Sequence, residues 1–206
     1  MEERDNIETT RQTYEKIAKW YAEKHIPMLW ITEQEKFRSY LKEKAKILDV
    51  GCGPGRDTKY FSDCDYDVIG IDFASAMLDE AKRRFPNCKF KLMDMRKLTF
   101  GHESFDGLWC CASLLHFRRE ELPDVLNSLK RVLKRDGILF VGIKKGEGKR
   151  EEWRTYPDGT MRYFSYYNDE NEFKRILESN GFIVLEYHLR IEPDQDRWHC
   201  FYAKKA

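Results

Sequence analysis

Ile47-Leu48-Asp49-Val50-Gly51-Cys52-Gly53-Pro54-Gly55-Arg56-Asp57 decides how this chain folds. A short apolar run, Ile47 to Val50, meets a glycine-rich turn, and a polar segment that opens as a helix follows. Strand, tight turn and helix in that order form the first half of a βαβ unit. Glycines in the turn let the backbone approach a ligand closely and take up φ values that other residues avoid. On its own such a turn suits nicotinamide dinucleotides, flavins or other adenosine ligands. Three details narrow the choice. The spacing Gly-x-Gly-x-Gly is one residue tighter than the dinucleotide fingerprint. Asp49, at the strand end, would repel a pyrophosphate but suits a ligand bearing an ammonium group. Asp72 ends the next strand, at the distance where an acid accepts hydrogen bonds from ribose hydroxyls, although it also reads as a cap for a helix near Ala74.

Outward from the turn, apolar runs recur at Val68-Ile69-Gly70-Ile71, Gly107 to Ala112 and Ile138 to Ile143. Short continuous runs of this kind read as strands buried on both faces, as in parallel sheets. Helical stripes separate them: Ala74 to Phe85, with Met77, Leu78, Ala81 and Phe85 on one face, and Glu120 to Leu133, stopped by Gly137. The alternation predicts a doubly wound α/β fold. Near the end, a helix over Asn168 to Asn180 stops at Gly181, and the strands Phe182–Ile191 and Trp198–Ala203 follow across a short link. Strands joined so closely must pair antiparallel. Residues 5–43 read as one or two amphipathic helices. Residues 144–167 form an aromatic insertion, in which the Pro157-Asp158-Gly159 turn predicts a hairpin.

The motifs taken together resemble the class I S-adenosylmethionine-dependent methyltransferases. Asp49 to Gly55 is similar to that family's first motif, and Asp72 to its ribose-binding acid. Leu92-Met93-Asp94-Met95, Ser104 to Trp109, and Leu129 to Leu139 match the next three motifs in order, with Asp136-Gly137 where Pro-Gly is usual. The resemblance implies a Rossmann-like, mostly parallel seven-stranded sheet of order 3-2-1-4-5-7-6, with strand 7 antiparallel, in three αβα layers. It implies one domain over 1–206: a helical lid over 1–44, a cofactor-binding core over 45–143, a substrate cap over 144–167, and a closing helix and hairpin over 168–206. The implied cofactor is S-adenosyl-L-methionine, leaving as S-adenosyl-L-homocysteine, with no metal. Its expected contacts are Asp49, Gly51, Cys52, Gly53 and Gly55 at the turn, Asp72, and Asp94 with Met95 at the adenine. Phe73 and Met77 either line the adenine or pack a helix face. Cys110 and Cys111 lie beside the methionyl part or fill the core as small apolar residues.

His116, in the loop leaving the fourth strand, is the catalytic candidate, as a base or a substrate-positioning group, against a histidine that merely packs. Tyr14, Tyr21, Trp153, Tyr163 and Tyr166, with His116, are the candidate substrate wall; the competing reading is that these aromatics seal the core edge.

Charge and composition bound the function. The chain has 206 residues, 37 basic against 36 acidic, for a net charge of +1, and 14% are aromatic. That balance excludes a general electrostatic nucleic-acid binder. Six cysteines without a Cys-x-x-Cys pair form neither a zinc framework nor a secreted disulfide scaffold. No apolar leader opens the sequence and no stretch is long enough to span a membrane, so a soluble cytoplasmic protein is expected, as monomer or homodimer. Methyl transfer to a small molecule is the leading expectation. A tRNA- or protein-directed methyltransferase using the basic loop 144–150 is the alternative, with an oxidoreductase or a non-catalytic sensor behind it.

Overall fold

The computed structural model describes residues 5–206. The first four residues, on which the reading of a missing leader partly rests, lie outside the described residues. The four apolar runs become β1 (Lys46–Val50), β2 (Asp67–Asp72), β4 (Phe105–Cys111) and β5 (Leu133–Lys144), and β3 (Lys89–Leu92) joins them as an edge strand with no apolar run of its own. Two further strands form a separate hairpin, β6 (Glu151–Thr155) and β7 (Met161–Ser165), and β8 (Phe182–Ile191) and β9 (Arg197–Lys205) close the main sheet. The main sheet has seven strands in the order β3-β2-β1-β4-β5-β9-β8. Pairing is parallel through β5, and β9 runs antiparallel to both neighbours. Because the cap hairpin takes two numbers, this is the expected order 3-2-1-4-5-7-6.

Helices cover both faces: α1 (Asn6–His25), α2 (Ile31–Ser39), α3 (Arg56–Asp63), α4 (Ser75–Arg84), α5 (Leu122–Val132) and α6 (Glu170–Ser179). Alternation along the strands sorts the core. Leu48, Val50, Leu108, Cys110, Leu139 and Val141 pack with α5 and α6. Ile47, Trp109, Cys111 and Phe140 turn to the other face, against Phe37 of α2 and Phe61 of α3, where Trp109 stacks on Phe140 at 3.9 Å. Period-two alternation with both faces covered is what a doubly wound sheet demands.

Gly137 does not stop α5. The helix ends at Val132, five residues earlier, and the chain is already extended at Leu133; the left-handed residue in this link is Asp136, at φ 58°. Leu133 pairs with Phe105 before the register shifts, so strand pairing captures the segment that helix periodicity claimed. The insertion does form a hairpin about Pro157-Asp158-Gly159, and the tail forms the expected helix and antiparallel pair. No helix among the described residues is long and apolar enough to cross a membrane.

Candidate active site

The order of the sheet reverses between β1 and β4, and a doubly wound sheet opens its crevice at the carboxyl ends of such strands. Here the crevice is a cavity of about 680 Å³. Its floor is the glycine turn with Asp72, Phe73, Met77, Asp94 and Met95, and its far wall is Cys111 to Ser113 with Leu115 and His116. α1 and the β6–β7 hairpin roof it.

The turn is shaped for a close neighbour. Gly51 sits at φ 74°, and a Cβ there would stand 2.6 Å from the Cβ of Ser113. Ser113 Oγ is buried with no hydrogen-bond partner, beside this turn on the cavity wall. Asp72 accepts the Gly53 N–H and the Ala74 N–H, both at 2.9 Å, so it ties the turn to the start of α4 and fulfils the capping reading as well. Those two bonds leave acceptor capacity on the carboxylate. Burial raises the Asp72 carboxyl to about 6, against the backbone N–H bonds that favour its charge. Asp94 borders the cavity while its carboxylate holds the Arg96 side chain and backbone N–H.

Several expected contacts stand behind the wall. Asp49 faces α3, where it accepts the Thr58 hydroxyl at 2.6 Å; burial, with Asp57 nearby, raises its pKa. Alternation from Leu48 and Val50 puts it on that face. Gly55 is not on the cavity either: a Cβ there would meet the Phe90 ring at 2.7 Å, so its bare backbone serves the packing of α3 against β3. Cys110 is core, whereas Cys111 reaches the cavity and its Sγ accepts from Arg56 at 3.5 Å. Burial pushes both thiols up, keeping them protonated.

The roof carries a hydrogen-bond chain. His116 Nδ1 lies 2.7 Å from the Tyr163 carbonyl, which can only accept, so Nδ1 carries the proton. His116 Nε2 then accepts from the Tyr14 hydroxyl at 2.9 Å, and the Tyr14 oxygen accepts from Arg162 at 2.8 Å. Both ring nitrogens are thus engaged. Burial holds the His116 pKa down to about 3, assisted by the charge of Arg162 and opposed by the Tyr163 bond. A neutral imidazole with both nitrogens engaged is a weak base.

Tyr14, Tyr21 and Trp153 border the cavity as expected. Tyr163 and Tyr166 do not: their hydroxyls donate to Glu151 and Glu152, and it is Arg162 and Phe164 that face inward. The insertion's aromatics were visible in the sequence, but its strand parity was fixed only by the pairing of Arg154 with Arg162. Tyr156 and His25 also border the cavity, and His25 lies against the Tyr21 ring at 4.1 Å. α1 is held to this wall by polar residues on one face of the helix, where no apolar stripe marks the contact. Asn6 donates to the His116 carbonyl, Thr10 accepts from Tyr163 N–H, and Thr13 exchanges hydrogen bonds with the Met161 backbone.

Comparison with known proteins bears on this geometry. A methyltransferase domain family matches residues 47–137. The uncharacterized methyltransferase YodH of Bacillus subtilis is 32% identical over 157 residues, covering 73% of this chain and 65% of that protein. Demethylmenaquinone methyltransferase of Renibacterium salmoninarum is 33% identical over 151 residues, covering 73% and 61%. The crystal structure of Burkholderia thailandensis 1,6-didemethyltoxoflavin-N1-methyltransferase, with that compound and S-adenosylhomocysteine bound, matches all of this chain and 92% of its own at TM-score 0.78 and 18% identity. Residues 47–137 match a methyltransferase domain, and the fold is that of the class I S-adenosylmethionine-dependent methyltransferases. The chain spans 65% and 61% of the two curated relatives' own lengths. Methyltransferases of this class are enzymes whose cofactor is S-adenosylmethionine, and this site fits that cofactor on its own geometry. The Gly51 cradle, the unpartnered Ser113 hydroxyl and the spare capacity of Asp72 all converge on the cavity.

Proposed function

We propose that this methyltransferase acts on a small-molecule acceptor held under α1 and the β6–β7 hairpin. The observation that carries the reading is the cavity itself, about 680 Å³, roofed by Tyr14, Tyr21, Tyr156 and Phe164 directly over the glycine turn. When bound, S-adenosylmethionine supplies a methyl group already activated by its sulfonium charge. The chain's task is then to bind, align and exclude water. Asp72 would accept from the ribose hydroxyls, and Asp94 with the Met95 amide would meet the adenine between Phe73 and Met77. The backbone of Gly51 to Gly53 would lie along the methionyl part, with Ser113 as a hydroxyl partner. Asp49, through Thr58, would hold the turn in shape from behind. His116 would fix Tyr14, and so the acceptor wall, without taking a proton.

The RNA- or protein-directed reading depends on the basic loop 144–150. Lys144 pairs with Asp196, Lys145 donates to the Asn168 carbonyl, Lys149 pairs with Glu152, and Arg150 lies 3.7 Å from Glu172. Each base of that loop is engaged within the chain, which favours the small-molecule reading. Incubation with methyl-tritiated S-adenosylmethionine and fractionated extract of the source cell tests it. Label should enter the low-mass fraction; label confined to RNA or protein would overturn the acceptor class. S-adenosylhomocysteine at a hundredfold excess over its Kd should raise Tm by about 5–10 °C, and no shift would overturn the cofactor site.

A further inference from the structure

Arg162 is the buried cation of this cavity that no carboxylate balances. It is 7% exposed, and its side chain borders the cavity. Its hydrogen bonds go to phenols: Nη1 donates to Tyr14 at 2.8 Å, Nε donates to Tyr156 at 2.7 Å, and Nη2 also contacts Tyr156. The guanidinium carbon lies 4.9 Å from the Tyr14 ring centroid, 4.8 Å from Tyr156 and 5.2 Å from Phe164. The other cations on the wall are either matched, Arg56 with Asp57, Lys144 with Asp196, and Lys149 and Arg154 with Glu152, or exposed, as Lys24 is over the Trp20 ring. Among the described residues, Arg162 has no ion pair.

A guanidinium stays charged at any pH the protein meets, and a buried charge without a counter-charge is unfavourable. Aromatic faces offset part of that penalty, but phenol oxygens leave guanidinium donors unused. The Tyr156 hydroxyl accepts from Arg162 and has no acceptor of its own among the described residues, so its proton is available to the same visitor. Tyr14 cannot serve, because its proton is committed to His116. The unused donors therefore belong to Arg162 and Tyr156. They stand one ring from the glycine turn: the Arg162 guanidinium lies 5.6 Å from the Tyr21 ring, and Tyr21 Cε1 lies 4.0 Å from the Cβ position of Gly53.

We propose that Arg162 and Tyr156 form an oxyanion subsite, and that the methyl acceptor carries a carboxylate or phosphoryl group that pairs with this guanidinium inside the aromatic wall. The proposal rests on the small-molecule reading above. A planar guanidinium takes either anion through two parallel N–H donors, and the surrounding rings favour an acceptor whose anionic group sits on an apolar or aromatic body.

Calorimetric titration of the full chain, saturated with S-adenosylhomocysteine, tests the subsite by binding alone. The probes are inorganic phosphate, benzoate and neutral benzamide. Phosphate or benzoate should bind saturably, and benzamide should not match benzoate. The stronger of the two oxyanions tells a phosphoryl source from a carboxylate source. Arg162→Gln should weaken the oxyanion by at least about tenfold and Arg162→Lys by less, since lysine keeps the charge without the fork. S-adenosylhomocysteine affinity should be the same in all three proteins. Failure of S-adenosylhomocysteine to bind would sink the cofactor reading, whereas its binding without uptake of either oxyanion would sink this proposal alone. Equal oxyanion affinity in Arg162→Gln would also overturn it. Should that variant not fold, equal binding of benzoate and benzamide to the wild-type chain overturns the subsite just as directly.

Discussion

In its proposed ribose-binding role, Asp72 makes the cofactor site sensitive to pH in a direction opposite to the fold's own preference. Its carboxyl is 7% exposed and raised from 3.8 to about 6, chiefly by burial. Ribose hydroxyls donate, and both carboxyl oxygens already accept backbone N–H groups, so the bound state favours the ionised form. At pH 5 about nine-tenths of Asp72 is protonated in the free protein, and at pH 7.5 almost none. Affinity for S-adenosylhomocysteine is therefore expected to fall about tenfold between those values, with roughly half a proton released per ligand bound near pH 6. Stability of the free protein moves the other way. A carboxyl whose folded pKa lies above its unfolded value stabilises the fold below the unfolded pKa, and that contribution is lost as pH rises through about 6. The shift corresponds to about 3 kcal/mol. Calorimetry at stepped pH, in buffers of different ionisation enthalpy, reads both affinity and proton release. Asp72→Asn should bind more weakly with a flatter profile; other groups such as Asp49 are common to both proteins, so the difference belongs to Asp72. A wild-type affinity constant from pH 7.5 to 5, without proton release, would refute the reasoning, since a carboxyl at its ordinary value stays ionised across that range.

Three further outcomes are expected. Gly51→Ala adds a Cβ at 2.6 Å from Ser113 to the strain of φ 74°, whereas Gly159→Ala, at φ 78° with open space around it, adds strain alone. The first should lose about 2–5 kcal/mol and the second about 1–2 kcal/mol, and equal thermal denaturation midpoints would contradict the crowding at Ser113. Tyr14→Phe leaves His116 Nε2 and one Arg162 donor unpaired in a buried place, for a loss of about 1–3 kcal/mol in chemical denaturation; an unchanged midpoint would disprove the chain of bonds. The His116 ring, with its pKa near 3, should show no titration between pH 5 and 8 by NMR, and a midpoint near 6.5 would restore it as a candidate base.

The sheet was legible because each buried strand carries an uninterrupted apolar run, and because the glycine turn marks where β1 ends. Asp72 was legible from its place at the end of the next strand and Asp94 from the family resemblance, and both border the cavity. Parity was harder. Asp49 and Tyr163 are the right kinds of residue on the opposite strand face, and Tyr166, past the end of β7, turns its hydroxyl to Glu152. The roof was the least readable part. Asn6, Thr10 and Thr13 bond to residues more than 100 positions away, and Arg162 sits among the aromatics of a hairpin whose neighbours are set by α1 rather than by local pattern. Glycine also misled at position 137, where pairing with β4 draws Leu133 out of the helix.

The seam between Thr13 and Met161 has a consequence for engineering the protein. α1 and β7 come from opposite ends of the chain, yet they share hydrogen bonds through Thr10, Thr13 and Tyr14. Glu15 extends the same helix to the backbone N–H groups of Ser75 and Ala76 at the start of α4. A chimaera that imports the hairpin of another methyltransferase would leave α1 facing donors and acceptors it does not match. A chimaera that imports α1 alone would also strip the start of α4 of its acceptor. With the acceptor held where we propose, its preference is inherited by two distant segments together, and exchanging it means moving both as one cassette.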